Sequence, residues 1–378
     1  MSSYRILVWG LSYNPGGIEN FIFNYLKYFD HKKIQVDFVN LDHHSLAYEA
    51  EFKEWGGKII PLILPKRSHN AYLYYKNIRL FFKKYASKYD CMWFNCIDLS
   101  NSTYIKYAYK FNVKRIIVHS HNSKFMVPLN TMGALKGYIK HKINKNIVYK
   151  YATDLWACSP SAAKWLFPNK ILSNVELINN AIDPEKMQFN IDKRKKIRSQ
   201  YGLEENVVIG NVGRLQTQKN QIFALRILSE LVKKNPMFKM VFVGQGPDYE
   251  KLLQVTNKLH LEKNVLFAGV QTDMQAWYSS FDYFLFPSLF EGLSVASLEA
   301  QANGLPIFAS DNIIPKNSHI NSNIYLLPLN AGYEYWAKEL EKKLGEKRIP
   351  FDKIERNFTK ANFNIKIEAK RLQNFFIK

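Results

Sequence analysis

Two successive series of short apolar runs, separated by loops and helical patterns, constrain this chain more than any other feature. The first series contains "YRILVWG", "QVDFVN", "KIIPLIL", "CMWFNCI", "RIIVHS" and "DLWACS". After the first run and the loop "LSYNPGG", residues Ile18, Phe21, Ile22, Tyr25, Leu26 and Phe29 recur at helical spacing. The second series contains "VVIGNVGRL", "FKMVFVGQG", "NVLFAGV", "YFLFPS", "PIFAS" and "IYLLPL". Strands alternating with helices build parallel sheets covered on both faces. Between the two series lies the polar stretch "DPEKMQFNIDKRKKIRSQYGLEEN", which places a junction near residue 185. At 378 residues the chain exceeds what one core normally supports. The expected class is α/β, with two Rossmann-like domains facing across a cleft: 1–185, 186–356, and a C-terminal helix over 357–378. Ligands of such sheets bind beyond the carboxyl ends of the strands, so function is sought in the strand-to-helix loops.

Composition closes off several alternatives. An apolar content of 47% with 15% aromatics is that of a folded chain. No run of 18 apolar residues occurs, and "MSSYRILVWGLS" reads as a first strand, so a cytoplasmic protein is expected. Cys91, Cys96 and Cys158 fit reduced thiols, without the further ligands a zinc site needs. The net charge of +21 is concentrated. From Lys66 to Lys150 there are 17 Lys or Arg against two acids, Asp90 and Asp98. Basic and aromatic residues alternate there, as in "YYKNIRLFFKKYASKY" and "KGYIKHKINKNIVYKYA". An anionic partner is expected, whether a membrane, a nucleic acid or a substrate phosphate. The plainer alternative is a set of solvated lysine-rich helix faces.

Four loops carry candidate chemistry. In "FPSLFEGLSVASLEAQANGLP", Ser294 fits an N-cap and Gly304 with Pro306 a helix stop, giving a helix over about Val295–Asn303. Glu291 then precedes that helix and Glu299 lies inside it. The N–H groups of Gly292, Leu293 and the first helical turn offer a seat for an anion. A carboxylate can accept hydrogen bonds from two vicinal hydroxyls, so the stretch suits a diphosphate flanked by sugar hydroxyls. In "GNVGRLQTQKN", Arg214 and Lys219 can clamp a diphosphate, Arg214 through paired N–H bonds. Gly16 and Gly17 precede a helix as in a phosphate-approaching turn, although neither G-x-G-x-x-G nor a Walker lysine is present. "VHSHNS" ends a strand with His119 and His121, which can serve chemistry or simply fill a core. Each loop also has an ordinary surface or structural explanation.

Taken together, "GGIENF", "VHSHN", "CSPSAAKWLF", "LINNAID", "GRLQTQKN", "VGQGP" and "FPSLFEGLSVASLEAQANGLP" resemble the retaining GT-B glycosyltransferases of family GT4. The likeness extends to about residue 312 and has the flavour of bacterial capsule, exopolysaccharide or teichoic-acid enzymes. It implies that Arg214 and Lys219 bind the donor pyrophosphate, Glu299 the nucleotide ribose, and Glu291 the transferred hexose. It further implies that Gly16 and Gly17 close over the donor phosphate, that His121 touches the sugar near its C6 hydroxyl, and that the C-terminal helix returns to the first domain. Alanine stands at position 181, where many relatives have glycine, and after "ASDN" the likeness weakens.

The expected activity is transfer of a hexose or N-acetylhexosamine, with retention, from a nucleotide-diphosphate sugar, UDP-linked, to a glycan or polyprenyl-diphosphate-linked acceptor. Arg214, Lys219, His121 and Glu291 would act at the reacting centre. No metal or other cofactor is expected, since no Asp-x-Asp occurs and the cations lie on the chain itself. The protein is expected peripherally on an anionic membrane surface, with no nucleic-acid partner. A nucleotide-sugar epimerase of the same fold and a basic nucleic-acid-binding protein are the rival readings.

Overall fold

The computed structural model describes residues 3–125, 130–291, 293–311 and 313–377. The chain forms two compact units, one of Met1–Ala181 with Ile365–Lys378 and one of Ile182–Asn364. The first unit holds strands β1 (Tyr4–Trp9), β2 (Ile34–Asn40), β3 (Ile59–Pro61), β4 (Cys91–Cys96), β5 (Arg115–Ser120), β6 (Asp154–Ala157) and β7 (Glu176–Leu177). Their spatial order is β3-β2-β1-β4-β5-β6-β7, with every pairing parallel. In the second unit come β8 (Val207–Val212), β9 (Phe238–Val243), β10 (Val265–Gly269), β11 (Tyr283–Phe286), β12 (Ile307–Ser310) and β13 (Ile324–Leu327). These lie in the order β10-β9-β8-β11-β12-β13, again parallel. Each is a doubly wound α/β sheet, and the two-domain α/β expectation holds.

The strand runs are apolar throughout because both faces of each sheet are covered. On β1, Ile6 and Val8 enter one core cluster while Leu7 and Trp9 enter the other. Likewise β4 sends Cys91 and Trp93 one way and Met92 and Phe94 the other. Helix Gly17–Leu26 buries Ile18, Phe21, Ile22, Tyr25 and Leu26, the face its periodicity marks. Helix Ile365–Ile377 adds Ile365, Ala369, Leu372 and Phe376 to that same cluster. The Phe376 ring lies 5.9 Å from that of Trp93 and 5.8 Å from that of Trp156. Arg115 donates to the Phe375 carbonyl at 2.8 Å. The chain's end is therefore a core element of the first unit.

The polar stretch after residue 185 is not a mere connector. Its centre is helix Ile191–Tyr201, capped by Asn190, whose side chain accepts from the Lys193 N–H. An apolar stripe is nearly absent, and arginines replace it. Arg194 and Arg198 reach the two carboxylate oxygens of Asp282, at 2.6 and 2.5 Å, and also bond main-chain carbonyls around Ser280. Polar docking of this kind leaves no periodic signal in the sequence.

Candidate active site

In a doubly wound sheet the ligand crevice opens where neighbouring strands run to opposite sides. In the second unit that point lies between β8 and β11. The loops leaving these strands are the ones carrying Arg214 with Lys219, and Glu291. The strand order thus brings together two stretches some 70 residues apart.

The loop after β8 is shaped around its lysine. Gly213 has φ +146, and a Cβ there would stand 3.1 Å from Lys219 Cε. A Cβ on Gly244, in the loop after β9, would stand 2.2 Å from the Gly213 carbonyl oxygen. Only a bare backbone permits that approach. Residues Thr217–Lys219 form one 3-10 turn before helix Gln221–Lys234. The two loops are stitched through Gln218: Leu289 N–H donates to Gln218 O at 2.8 Å, and Gln218 Nε2 donates to Phe290 O at 2.8 Å.

Within this frame Lys219 Nζ lies 2.7 Å from Glu291 Oε1, and the side chains are only 14% and 7% exposed. The ammonium also stands 5.0 Å from the centre of the Phe286 ring. Arg214, five residues earlier than Lys219, is exposed. Among the described residues its guanidinium has no hydrogen-bond or ion-pair partner. The site therefore holds one cation neutralised by a carboxylate and one cation ready for an incoming anion.

Ser294 caps helix Val295–Ala302, its Oγ accepting from the Ser297 N–H. Leu293 is half-buried, packed against a cluster that includes Leu298 and Phe358. Gly292 lies outside the described residues. Glu299 sits inside the helix with its carboxyl turned inward, where Tyr278 donates to Oε2 at 2.9 Å. Burial raises the Glu299 pKa to about 7, against the lowering effect of the tyrosine. That carboxyl is not a helix-surface group, and one of its two oxygens already has a donor.

The first unit presents neutral groups at the ends of its strands. Gly16 is the N-cap of helix Gly17–Leu26, and its N–H donates to Glu19 Oε2 at 3.0 Å. The other oxygen of Glu19 accepts from Ser12 N and Oγ, at 2.8 and 2.9 Å. The turn is thus held by a buried carboxylate, and the Gly16 amide is already taken. Gly17, His121, Gly10 and Ser12 share a pocket of about 290 Å³. His121 Nε2 lies 2.8 Å from Asn95 Oδ1. Asn95 Nδ2 donates to Trp9 O at 3.0 Å, so Oδ1 must accept and Nε2 carries the proton. Burial pushes the His121 pKa down to about 3, which keeps the ring neutral. His119 behaves differently: it is fully buried, stacked on Trp93, with neither ring nitrogen bonded among the described residues, and belongs to the core.

Three positioning residues are not singled out by spacing: Gln218, Tyr278 and Asn95. Only Asn95 had a visible signal, a polar side chain in the apolar run "CMWFNCI". Among the described residues no three His, Cys, Asp or Glu side chains converge as a metal site would need. A pocket of about 600 Å³ along helix Ile365–Ile377 holds none of the candidate residues.

Residues 193–342, most of the second unit, match the family of glycosyl transferases group 1. The putative glycosyltransferase EpsF of Bacillus subtilis (strain 168) is 26% identical over 372 residues, covering 96% of this chain and 94% of that protein. An Escherichia coli UDP-Gal:alpha-D-GlcNAc-diphosphoundecaprenol alpha-1,3-galactosyltransferase is 32% identical over 162 residues, 41% of this chain and 42% of that one. Anabaena Alr3699/HepE, solved in complex with UDP, superposes with a TM-score of 0.74 at 16% identity, covering 99% of each chain. Residues 193–342 thus carry a group 1 glycosyltransferase region, and the chain as a whole is similar to glycosyltransferases and has a GT-B fold.

Proposed function

We propose that the protein transfers a hexose or N-acetylhexosamine from a UDP-linked donor, with retention, to a glycan on a polyprenyl-diphosphate carrier at the cytoplasmic face of an anionic membrane. The observation that carries this reading is the charged switch point of the second sheet, with the Lys219–Glu291 pair and, on the same loop as Lys219, an exposed Arg214 that has no partner among the described residues. Support for the donor and acceptor classes comes from the E. coli relative, whose name gives UDP-galactose and a diphosphoundecaprenol-linked sugar. HepE has been solved with UDP on the same fold.

As the bond from the anomeric carbon to the β-phosphate oxygen breaks, negative charge grows on the phosphate. Arg214 and Lys219 stabilise that charge, which is larger in the transition state than in the bound donor. The Leu293 N–H and the capped helix behind it add a positive dipole. Glu299 keeps an oxygen for the ribose hydroxyls. Glu291 holds Lys219 in place until the donor arrives and then serves the hydroxyls of the transferred hexose. Neutral His121, aimed by Asn95, offers an uncharged ring to the sugar. The acceptor hydroxyl attacks from the departing side, and its proton passes to the leaving phosphate oxygen. With two cations supplied by the chain, the diphosphate needs no metal ion or other cofactor.

The test is a panel of nucleotide sugars scored for release of nucleoside diphosphate, first by slow hydrolysis and then with lipid-linked acceptors. Mass spectrometry identifies the product and NMR its anomeric configuration. The expected result is release from one UDP-sugar and an axial-to-axial outcome. Inertness toward every donor in a folded protein, or inversion, contradicts the proposal.

A further inference from the structure

The basic segment of the first unit contains two long helices that pack differently. Helix Ala71–Tyr85 buries Ile78, Phe81 and Phe82, and its outer face mixes lysines and an arginine with exposed Tyr72, Leu73 and Leu80. Helix Met132–Lys145 buries only Ala134 and His141. The His141 ring stacks on Trp165 at 4.0 Å and its Nδ1 accepts from the Leu99 N–H at 3.1 Å, which fixes that face against the unit. On the other side Met132, Leu135, Ile139 and Ile143 are 68%, 40%, 50% and 59% exposed.

At about 100° per residue these four side chains fall within roughly an 80° arc, opposite Ala134 and His141. Exposed Lys136 and Lys140 border the arc on one side and Lys142 on the other. No acidic residue occurs in Met132–Lys145. A continuous aliphatic stripe in water is unfavourable, and a rim of lysines around it selects what can cover it. We infer that helix Met132–Lys145 lies in the surface of an anionic lipid bilayer, its Met132–Leu135–Ile139–Ile143 stripe among the acyl chains and its lysines at the headgroups.

Charge argues for this occupant over the others. A second copy packed on the same stripe would oppose lysines to lysines with no acid between them. A nucleic acid would satisfy the lysines and leave the aliphatic stripe uncovered. A bilayer with anionic lipid satisfies both parts at once. This deepens the membrane element of the proposed function, but vesicle binding reads it without any turnover.

The experiment uses the full chain and sedimentation with vesicles of phosphatidylcholine alone or mixed with phosphatidylglycerol. The parent should bind the mixed vesicles, weaken as salt rises, and bind phosphatidylcholine poorly. Ile139→Gln with Ile143→Gln, both surface changes, should weaken binding at least about tenfold. Lys136→Gln, Lys140→Gln and Lys142→Gln together should lower binding toward the phosphatidylcholine level and flatten the salt dependence. Unchanged binding by the isoleucine variant overturns the inference, as does absence of parental binding to either vesicle. A parental dimer that the isoleucine variant converts to monomer in vesicle-free solution also overturns it. Donor hydrolysis by the same samples is read in parallel. If it is absent while vesicle binding behaves as described, the proposed reaction fails and the membrane surface stands.

Discussion

The two sheets share one winding rule yet end in opposite chemistries. Beyond β8 and β11 stand two cations and a carboxylate, with a second carboxyl in the following helix. Beyond β1, β4 and β5 stand a glycine turn, a neutral histidine and an asparagine, and the buried acid Glu19 is spent on holding the turn. A parallel strand edge is only a platform. What it binds is set by the side chains its loops return to the switch point. In the proposed reaction the second unit meets the diphosphate and the first the uncharged hydroxyls. Much of the first unit's positive charge lies instead on helices such as Ala71–Tyr85 and Met132–Lys145.

The comparison breaks most visibly at Lys219. Lys219→Ala strands the Glu291 carboxylate in a largely buried place, a loss of about 3 kcal/mol in stability. Transfer should fall by about two orders of magnitude as well. Adding Glu291→Gln should restore the melting temperature without restoring transfer. If the double variant recovers both, the pair is structural and carries no phosphate.

Glu299 sharpens the contrast through pH. Its folded pKa is raised from 4.5 to about 7, so the folded protein holds a proton there that the unfolded chain has released. Its contribution is fully present below 4.5 and is lost as pH rises toward about 7. Glu299→Gln should therefore gain stability relative to the parent over that window, on the order of 1–3 kcal/mol, then run parallel above it. Parallel melting curves from pH 4 to 8 would contradict a buried carboxyl. UDP affinity should fall about tenfold in the same variant, read by calorimetry.

His121 has its pKa pushed down to about 3, so it does not titrate where the enzyme works. His121→Gln should lower turnover by about tenfold at most and leave the shape of the pH–rate profile between pH 5 and 8 unchanged. Loss of an acidic limb in the variant would show that the ring is charged after all. The smallest expected effect is none: excess EDTA should leave transfer intact, because the chain's own cations meet the diphosphate. A requirement restored only by added Mg²⁺ or Mn²⁺ would move that role to a metal.

Much of the fold was legible because apolar runs and helical spacing are local signals. The five-residue apolar face of helix Gly17–Leu26 and its continuation to Phe29 are buried as their spacing demands. Helix Ile191–Tyr201 was not legible, since its hold on the sheet is Arg194 and Arg198 on Asp282, a pairing across more than 80 residues. The same limit applies to the site. Spacing marks Arg214, Lys219, Glu291 and Glu299 one by one. It cannot say that Lys219 meets Glu291, that Tyr278 meets Glu299, or that Asn95 turns the His121 ring, because strand order rather than distance along the chain makes those contacts. Nor can it foretell that Gly16's amide is filled by Glu19.

Arg214 is the residue at which charge beside the leaving phosphate can be measured most directly. It is exposed and has no partner among the described residues, so its removal disturbs no pair. Steady-state transfer by Arg214→Ala, with the melting temperature recorded alongside, isolates the charge at the leaving phosphate. The expected result is a fall in kcat of about two orders of magnitude, a smaller rise in KM, an unchanged melting temperature and only partial rescue by Arg214→Lys. Parental kcat in a folded Arg214→Ala protein would contradict it.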